Sequence, residues 1–213
     1  MKKLILLELN EVNLDVVGSY LNNGAVLPGF SKIIDDGYLI TKAESEHNLL
    51  EPWIQWPSVH IGKIFSEHKI FRLGDCVNSS EKQFFEIVEK LGYSVGAISP
   101  MNASNNLEKP AYFIHDPWTQ TSSDKSYLSK IITKAISQAV NDNSKSKIKF
   151  KTIFSLILVF ILFVNPSHYI KMVIYAFKAL LPGKPWRKAL FLDSFLYQIH
   201  KALFKRKNPN FST

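Results

Sequence analysis

The sequence predicts an α/β fold, with a largely parallel sheet flanked by helices and then a basic, apolar helical segment. Within the first 124 residues, apolar runs alternate with amphipathic stretches and short turns, the pattern of strand–helix–strand units. Residues 3–9 form an apolar run that ends with Glu8 and Leu9, as expected of a central parallel strand buried on both faces. From Lys125 onward the only acidic residues are Asp142 and Asp193, so the organisation changes there.

The composition limits the class of protein. A chain of 213 residues, 46% of them hydrophobic and 15 of them Phe, can build the core of one domain or slightly more. The net charge of +8 is concentrated in the second half and favours a negatively charged partner. A membrane surface fits this half better than nucleic acid does, because the sequence contains no recognisable nucleic-acid-binding module.

Two features bear on the cellular compartment. Cys76 is the only cysteine, which excludes an internal disulfide framework and a Cys-type zinc site and fits a reducing compartment. The N-terminal apolar run has only four residues before Glu8, too few for a secretory signal. We therefore expect a cytoplasmic protein that associates with a membrane through its second half.

The remaining elements of the α/β part follow from periodicity and from Gly, Pro and Asn breakers. They are a helix at residues 14–21 that ends before Gly24, a helix from Pro28 that ends at Gly37, a strand at residues 38–43, a helix at residues 81–91 capped by Ser79 or Ser80, and a strand at residues 93–99. The short turns between these elements favour a parallel sheet.

Residues 51–62 carry two Trp and two Pro within six positions and then Ser58, His60 and Gly62. The run has no strand or helix period, and its prolines fix φ and remove backbone donors. It predicts a rigid, aromatic-walled turn that leads into a helix, whose N-terminus would suit an anion. The alternative is a Trp-anchored loop of the core.

Asn10 and Glu11 come directly after the first predicted strand. Ligands of open α/β sheets bind beyond the carboxyl ends of the strands, so both residues are candidate oxygen donors to a metal. The alternative is that they cap the following helix, a position that Asn favours.

The basic half predicts a helix at residues 127–140, a charged linker at residues 141–151 and then three apolar helices. Residues 153–164 lack charge and have Ser155 as their only polar residue, but they are too few to cross a membrane. Three alternatives remain for residues 153–175: helices at a membrane interface, a helical lid on the protein's own core, or a true span. We divide the chain into an α/β part at residues 1–124, a helical insertion or membrane-associated segment at residues 125–207, and an approach to a further strand at residues 208–213.

Five segments, in order, resemble the N-terminal half of the alkaline phosphatase superfamily, in its type I phosphodiesterase/nucleotide pyrophosphatase and sulfatase-like branch. They are residues 4–11, which resemble the first strand and its metal ligand, the helix at residues 27–37, the nucleophile segment at residues 56–62, the Glu-His-Lys-Ile sequence at residues 67–70, and the helix and strand at residues 84–99.

The resemblance implies a hydrolase with two divalent metals, commonly zinc, and a Thr, Ser or modified Cys nucleophile. Asn10 and Glu11 replace the family's Asp-Gly metal ligand, and Ser58 is the candidate nucleophile because Gln55 stands where phosphodiesterases have Thr. His60 is expected to orient a substrate oxygen or, alternatively, to be a packed structural residue. The family's later Asp and His ligands have no counterpart here, which suggests a truncated form that is inactive alone, with its helices inserted between two halves of the domain.

We therefore expect a metal-dependent phosphoester or sulfoester hydrolase or transferase, using zinc or manganese, that acts on an anionic, membrane- or glycan-linked substrate. The alternative is a non-catalytic remnant that binds a membrane or a partner through residues 150–207. A nucleotide- or sugar-binding domain outside this superfamily ranks last, because no Gly-rich phosphate loop is present.

Overall fold

The computed structural model describes residues 3–10, 12–41, 44–144 and 150–213. Its strands form one four-stranded, all-parallel sheet in the order β1-β4-β2-β3. The strands are β1 (Leu4–Ile5), β2 (Val95–Ile98), β3 (Tyr112–Ile114) and β4 (Phe211–Ser212). The predicted α/β class, with a parallel sheet flanked by helices, is confirmed.

The helices before and between the strands are mostly short, whereas those between β3 and β4 are long. They are α1 (Leu14–Asn22), α2 (Pro28–Asp35), α3 (Pro52–Ile61), α4 (Phe65–His68), α5 (Phe84–Lys90), α6 (Tyr127–Ser144), α7 (Phe150–Phe163), α8 (Tyr169–Leu180) and α9 (Trp186–Lys207). Short 3₁₀ turns lie at His47–Leu49, Asp75–Asn78 and Pro166–His168.

The prediction that the first strand is central and buried on both faces is wrong. β1 lies at the edge of the sheet, and its Leu4 and Ile5 are 62% and 54% exposed. The position beside β2 is taken by β4, which pairs with β1 on its other side. An apolar run therefore predicted a strand correctly but could not give its place in the sheet.

The predicted strand at residues 38–43 is also not observed. Residues 38–41 have no assigned secondary structure and no ladder pairing, Leu39 is 94% exposed, and Lys42 and Ala43 lie outside the described residues. A strand needs a neighbour that supplies hydrogen bonds, and the described structure places none beside this segment.

The predictions for α2 and β2 hold, whereas the start of α5 and the linker after α6 differ from their predicted bounds. α2 begins with Pro28 at its first turn and is followed by Gly37, whose φ is 89°, and β2 lies inside the predicted residues 93–99. α5 begins later than predicted, at Phe84, with Gln83 as its N-cap residue in place of Ser79 or Ser80. The predicted linker at residues 141–151 is helical at both of its described ends, because α6 continues to Ser144 and α7 begins at Phe150.

β4 holds the sheet together. Phe211 is in register with both Leu4 and Val95, and Ser212 with both Ile5 and Gly96. The Leu4 and Leu6 amides donate to the carbonyls of Asn210 and Ser212, and the Thr213 amide donates to the Gly96 carbonyl.

Apolar clusters cover both faces of the sheet, because successive side chains of a strand point to opposite faces. Tyr112 and Ile114 of β3 pack with the long helices, whereas Phe113 packs on the side of α5. The helix-side cluster also contains Ile132 and Ile136 of α6, Val159 and Phe163 of α7, and Phe195, Ile199 and Leu203 of α9. The helices after residue 125 therefore share a core with the sheet.

The apolar stretch at residues 153–175, one alternative for which was a membrane span, is divided in two. α7 ends at Phe163, the Asn165 side chain caps the turn at Pro166–His168, and α8 begins at Tyr169. Among the described residues, no helix combines the length and apolar character that a membrane crossing requires.

Gly96 of β2 gives a test of this packing. The Tyr112 ring of the neighbouring strand lies where a Cβ on Gly96 would be, so Gly96→Ala should destabilise the fold by about 1–3 kcal/mol through overpacking. Urea unfolding measures the change. Gly18→Ala is the matched control, because nothing lies within 4 Å of a Cβ there, and it should stabilise α1 by about 0.5–1 kcal/mol. Equal effects of the two substitutions would contradict the packing described here.

Candidate functional site

The Trp/Pro stretch is itself a helix, α3, so the prediction of a turn that precedes a helix is wrong. Pro52 occupies the first turn, where its missing N–H costs nothing, and Gly62 ends the helix with a φ of 74°. Ile54, Pro57 and His60 are its buried residues. These three residues recur at every third position, so they share one side of the helix.

Pro57 lies inside α3 and leaves one backbone carbonyl of the helix without its usual hydrogen bond. It cannot donate to the carbonyl of Trp53, four residues earlier. The side-chain Nδ2 of Asn102 donates to that carbonyl instead, at 2.7 Å, and to the Arg72 carbonyl at 3.1 Å. Its Oδ1 accepts from the Gly74 amide at 2.9 Å. Asn102 therefore repairs the break that Pro57 makes and joins α3 to the loop after β2.

Asp116 fixes Asn102 in turn. Its Oδ2 accepts the Asn102 amide at 2.9 Å, and its Oδ1 accepts the amides of Trp118 and Thr119, each at 2.8 Å. Asn102 has a φ of 50°, a left-handed conformation that Asn tolerates better than most residues. Both residues are 1% exposed and follow the carboxyl ends of β2 and β3. In the sequence, Asn102 and Asp116 could have been found only from their positions just after the apolar segments that form β2 and β3, because neither belongs to a recognisable motif.

Ser58, the candidate nucleophile, contacts His68, a residue for which the sequence predicted no role in catalysis. Its Oγ lies 2.9 Å from Nε2 of His68, and it donates to the Ile54 carbonyl at 3.4 Å. The pair has the distance of a serine–histidine dyad. The second ring nitrogen decides what the pair can do.

Nδ1 of His68 accepts the backbone amide of Ile70 at 3.0 Å, so it carries no proton. Burial lowers the pKa of His68, which keeps the ring neutral. The proton of the neutral ring is therefore on Nε2, which donates to Ser58 Oγ. A general base needs a free lone pair toward the hydroxyl, so in this geometry His68 positions Ser58 and does not activate it.

His60, the second candidate catalytic residue, is buried among aromatic rings. Its Nε2 donates to Glu8 Oε2 at 3.2 Å, and the other oxygen of Glu8 accepts from the Thr213 hydroxyl at 2.8 Å. Its ring packs against Trp56, Phe84 and Phe85, with centroids 5.3–6.1 Å away. Nδ1 has no hydrogen-bond partner among the described residues. His60 thus links α3 to the ends of β1 and β4.

Of the two candidate metal ligands, Asn10 is exposed, and its Oδ1 accepts from the indole N–H of Trp56 at 3.3 Å. Glu11 lies outside the described residues. Within the described ranges, no group of three or more His, Cys, Asp and Glu side chains is arranged to hold a metal ion. The acid that reaches α3 is Glu8, and both of its oxygens already have partners. Asn10 and Glu8 do not by themselves form a metal site in the described structure.

A second polar cluster lies between the sheet and α9. Ser212 Oγ is 2.6 Å from the Tyr112 hydroxyl and 2.7 Å from Nε2 of His200. Burial raises the pKa of Tyr112 to about 12 and lowers the pKa of His200, so both side chains are neutral at pH 7. The cluster ties β4 to α9 and has the burial of a structural network.

The outer side of α8 and the start of α9 is a large apolar surface edged by positive charge. The exposed fractions of Ile170, Phe177 and Leu180 are 79%, 64% and 72%. Residues 169–192 contain five Lys and Arg and no Asp or Glu. We name this the basic apolar face, formed by Ile170, Lys171, Val173, Ile174, Phe177, Lys178, Leu180, Leu181, Lys184, Trp186, Arg187 and Lys188.

Comparison of the chain with protein-family models, with curated proteins and with solved structures finds no match. The class that the structure defines is an α/β protein with a short parallel sheet that has the long helices on one face and α5 on the other.

Replacement of the Asn102 amide tests the repair of α3. Asn102→Asp keeps the shape but removes both N–H donors and puts a carboxylate next to two buried carbonyls, so it should cost about 2–4 kcal/mol of unfolding free energy. Asn22→Asp, at an exposed end of α1, should change stability by less than about 0.5 kcal/mol. Chemical denaturation of both variants measures the difference, and a stable Asn102→Asp protein would show that α3 does not depend on this bond.

Proposed function

We propose that this protein binds the surface of anionic membranes through the basic apolar face. The observation that carries the proposal is the exposure of large apolar side chains on α8 beside Lys171, Lys178 and Lys184, in a stretch of sequence, residues 169–192, that contains no Asp or Glu. Exposed apolar patches with polar rims mark interaction sites. An amphipathic helix with basic residues beside an apolar surface is typical of a segment that lies in a membrane interface.

The composition of α8 favours lying at the surface. Met172 and Ala179 face the core, while Ile170, Val173 and Phe177 are exposed. Lys171 and Lys178 are long enough to keep their charges in the headgroup layer while their methylenes stay with the apolar side chains. The exposed indole of Trp186 adds an aromatic ring of the kind that prefers the interface.

The charges provide selectivity for anionic lipid. Each Lys or Arg near an anionic leaflet contributes about 1 kcal/mol, and the basic apolar face has five of them. The apolar side chains supply the remainder of the affinity through burial. Nucleic acid, which would also attract the charge, offers no partner for so many exposed Ile, Leu and Phe side chains. A lipid surface matches both properties of this face.

Leu180→Gln should weaken binding to vesicles that contain phosphatidylglycerol by about tenfold, because a 72% exposed leucine on the face would lose its burial in lipid. Co-flotation with vesicles on a density gradient measures binding. Leu39→Gln is the matched control, the same substitution at a 94% exposed leucine outside the face, and it should bind like the unchanged protein.

The charge contribution is measured in the same assay. Flotation should fall sharply with phosphatidylcholine alone and with rising salt, since surface charges are screened over about 8 Å at physiological ionic strength. Binding that is equal for neutral and anionic vesicles, or that Leu39→Gln weakens as much as Leu180→Gln, would rule out the basic apolar face as the membrane contact.

An alkaline-phosphatase-like ester hydrolase or transferase, acting on an anionic substrate with a divalent metal, is the second candidate. It is supported by the order of the five sequence segments and by polar residues beyond the carboxyl ends of parallel strands, where such sheets bind ligands: Glu8, Asn10, Asn102 and Asp116. The hydrogen bonds of His68 count against activation of Ser58 by that histidine. Catalysis through Ser58 would need a different base.

Hydrolysis of p-nitrophenyl phosphate and p-nitrophenyl sulfate, with added zinc or manganese, tests this candidate. If Ser58 is the nucleophile, Ser58→Ala should reduce kcat at least a hundredfold, because no attacking oxygen remains. Ser66→Ala, at an exposed serine of α4, should leave kcat unchanged. Absence of turnover with either metal would remove the hydrolase assignment, and equal turnover of the two variants would exclude Ser58 as the nucleophile.

A further inference from the structure

A cleft of about 820 Å³ lies between α6 and the loop that follows β3. The loop contributes His115, Trp118 and Thr119, and α6 contributes a polar stripe at helical spacing, with the apolar side of the same helix turned to the core. Pockets of about 300–1,000 Å³ are the size that binds small molecules in proteins. The cleft is separate from the residues around Ser58 and from the basic apolar face.

The lining of this cleft contains hydrogen-bonding groups that the described protein leaves unused. Thr119 Oγ1, Thr133 Oγ1, Ser137 Oγ and Gln138 Oε1 are buried atoms without a partner among the described residues, and all four residues line the cleft. Thr119 is only 1% exposed. Buried polar atoms are nearly always paired in folded proteins. Four such atoms on one cavity indicate a ligand with several hydroxyl groups.

The charge of the lining indicates an anion. Lys130 and Lys134, one turn apart on α6, are the charged side chains of the lining, and no Asp or Glu is part of it. The nearby Asp116 and Asp124 accept backbone amides from Asn102, Trp118 and Thr119 and from Phe113 and Ser126. Their carboxylates are therefore engaged within the loop and do not compete with an anion for the lysines.

Two further side chains suit a sugar ring. Trp118 is 49% exposed on the cleft and offers a flat apolar surface. Nδ1 of His115 donates to the Asp116 carbonyl, so Nε2 is the ring nitrogen that can accept from a ligand hydroxyl. The cleft therefore combines lysines that can bind a phosphate, hydroxyls and an amide that can bind a polyol, and an indole that can pack on a sugar ring.

We propose that this cleft binds a phosphorylated polyol, a sugar or inositol phosphate, with Lys130 and Lys134 on the phosphate and with Thr119, Thr133, Ser137 and Gln138 on the hydroxyls. The same chemistry occurs in a soluble sugar phosphate and in an inositol phospholipid headgroup. The proposal concerns a different surface from the basic apolar face, so membrane binding can fail without affecting it.

Isothermal titration calorimetry with glucose 6-phosphate and with inositol 1-phosphate tests the soluble form of the ligand, and flotation with vesicles containing phosphatidylinositol tests the lipid form. Saturable binding is expected for at least one of them. Lys134→Gln should weaken that binding at least tenfold, since it removes a charge-assisted hydrogen bond of about 1.5–3 kcal/mol. Thr133→Val and Ser137→Ala should each weaken it about fivefold, for a neutral hydrogen bond of about 1 kcal/mol.

A thermal melt of the same variants separates binding from folding. Thr133→Val and Ser137→Ala remove buried groups without a partner, so their melting temperatures should stay the same or rise. Lys90→Gln and Ser19→Ala, at exposed positions on α5 and α1, are controls that should not change affinity.

Binding of the soluble probes would assign the cleft to a free sugar phosphate. Binding of the vesicles alone would assign the cleft to a lipid headgroup, provided that Lys134→Gln abolishes the vesicle binding. No binding of any probe, or binding that Lys134→Gln, Thr133→Val and Ser137→Ala leave unchanged, overturns the proposal. Thr133→Val or Ser137→Ala proteins that melt markedly earlier would show that these hydroxyls serve the fold and would also overturn it.

Discussion

The sheet depends on the pairing of β4 with two strands at once. Phe211 and Ser212 lie between β1 and β2, so the last strand of the chain joins the first strand, at the sheet edge, to the rest of the sheet. The side chains that follow strengthen this closure: Thr213 donates to Glu8, and Ser212 contacts Tyr112 and His200. Parallel strands need long connections, and here the connection into β4 consists of α6 to α9. The helical layer is therefore part of the sheet's architecture as well as the source of the basic apolar face.

In the segment around Ser58, polar side chains that look catalytic in the sequence form hydrogen bonds that stabilise the fold. Pro57 breaks the α3 ladder, and Asn102 and Asp116 are engaged in repairing it. His68 uses one nitrogen for the Ile70 amide and the other for Ser58. Apart from Nδ1 of His60, the buried polar atoms that have no partner among the described residues lie elsewhere, and most of them line the cleft beside α6. Unused hydrogen-bonding capacity, rather than resemblance, is what points to ligand binding in this molecule.

The sequence predicted the fold class, α2, β2 and the breaks before α8 and α9. These features depend on Pro, Gly and apolar periodicity, which determine the local conformation of the chain. The sequence could not reveal that β1 is an edge strand, since that depends on pairing with Phe211 at the far end of the chain. Residues 38–41 have no partner strand in the described structure, and this too depends on long-range pairing that the local sequence does not reveal. Ser58 and His60 were identified as candidates, but their partners His68 and Glu8 follow from tertiary contacts. The hydrophobic, basic character of α8 was visible in sequence, whereas which of its residues face solvent was not.

Hydrogen exchange with and without anionic vesicles tests the central claim, that the protein meets a membrane through the basic apolar face. Amides of α8 and of the first turns of α9 should gain protection on addition of phosphatidylglycerol vesicles, because these helices would be covered by lipid and open less often. Amides of α5 and of the β2–β3 pair, on other parts of the fold, should exchange as before. Protection that appears elsewhere, or no protection under conditions in which the protein floats with the vesicles, would contradict the account.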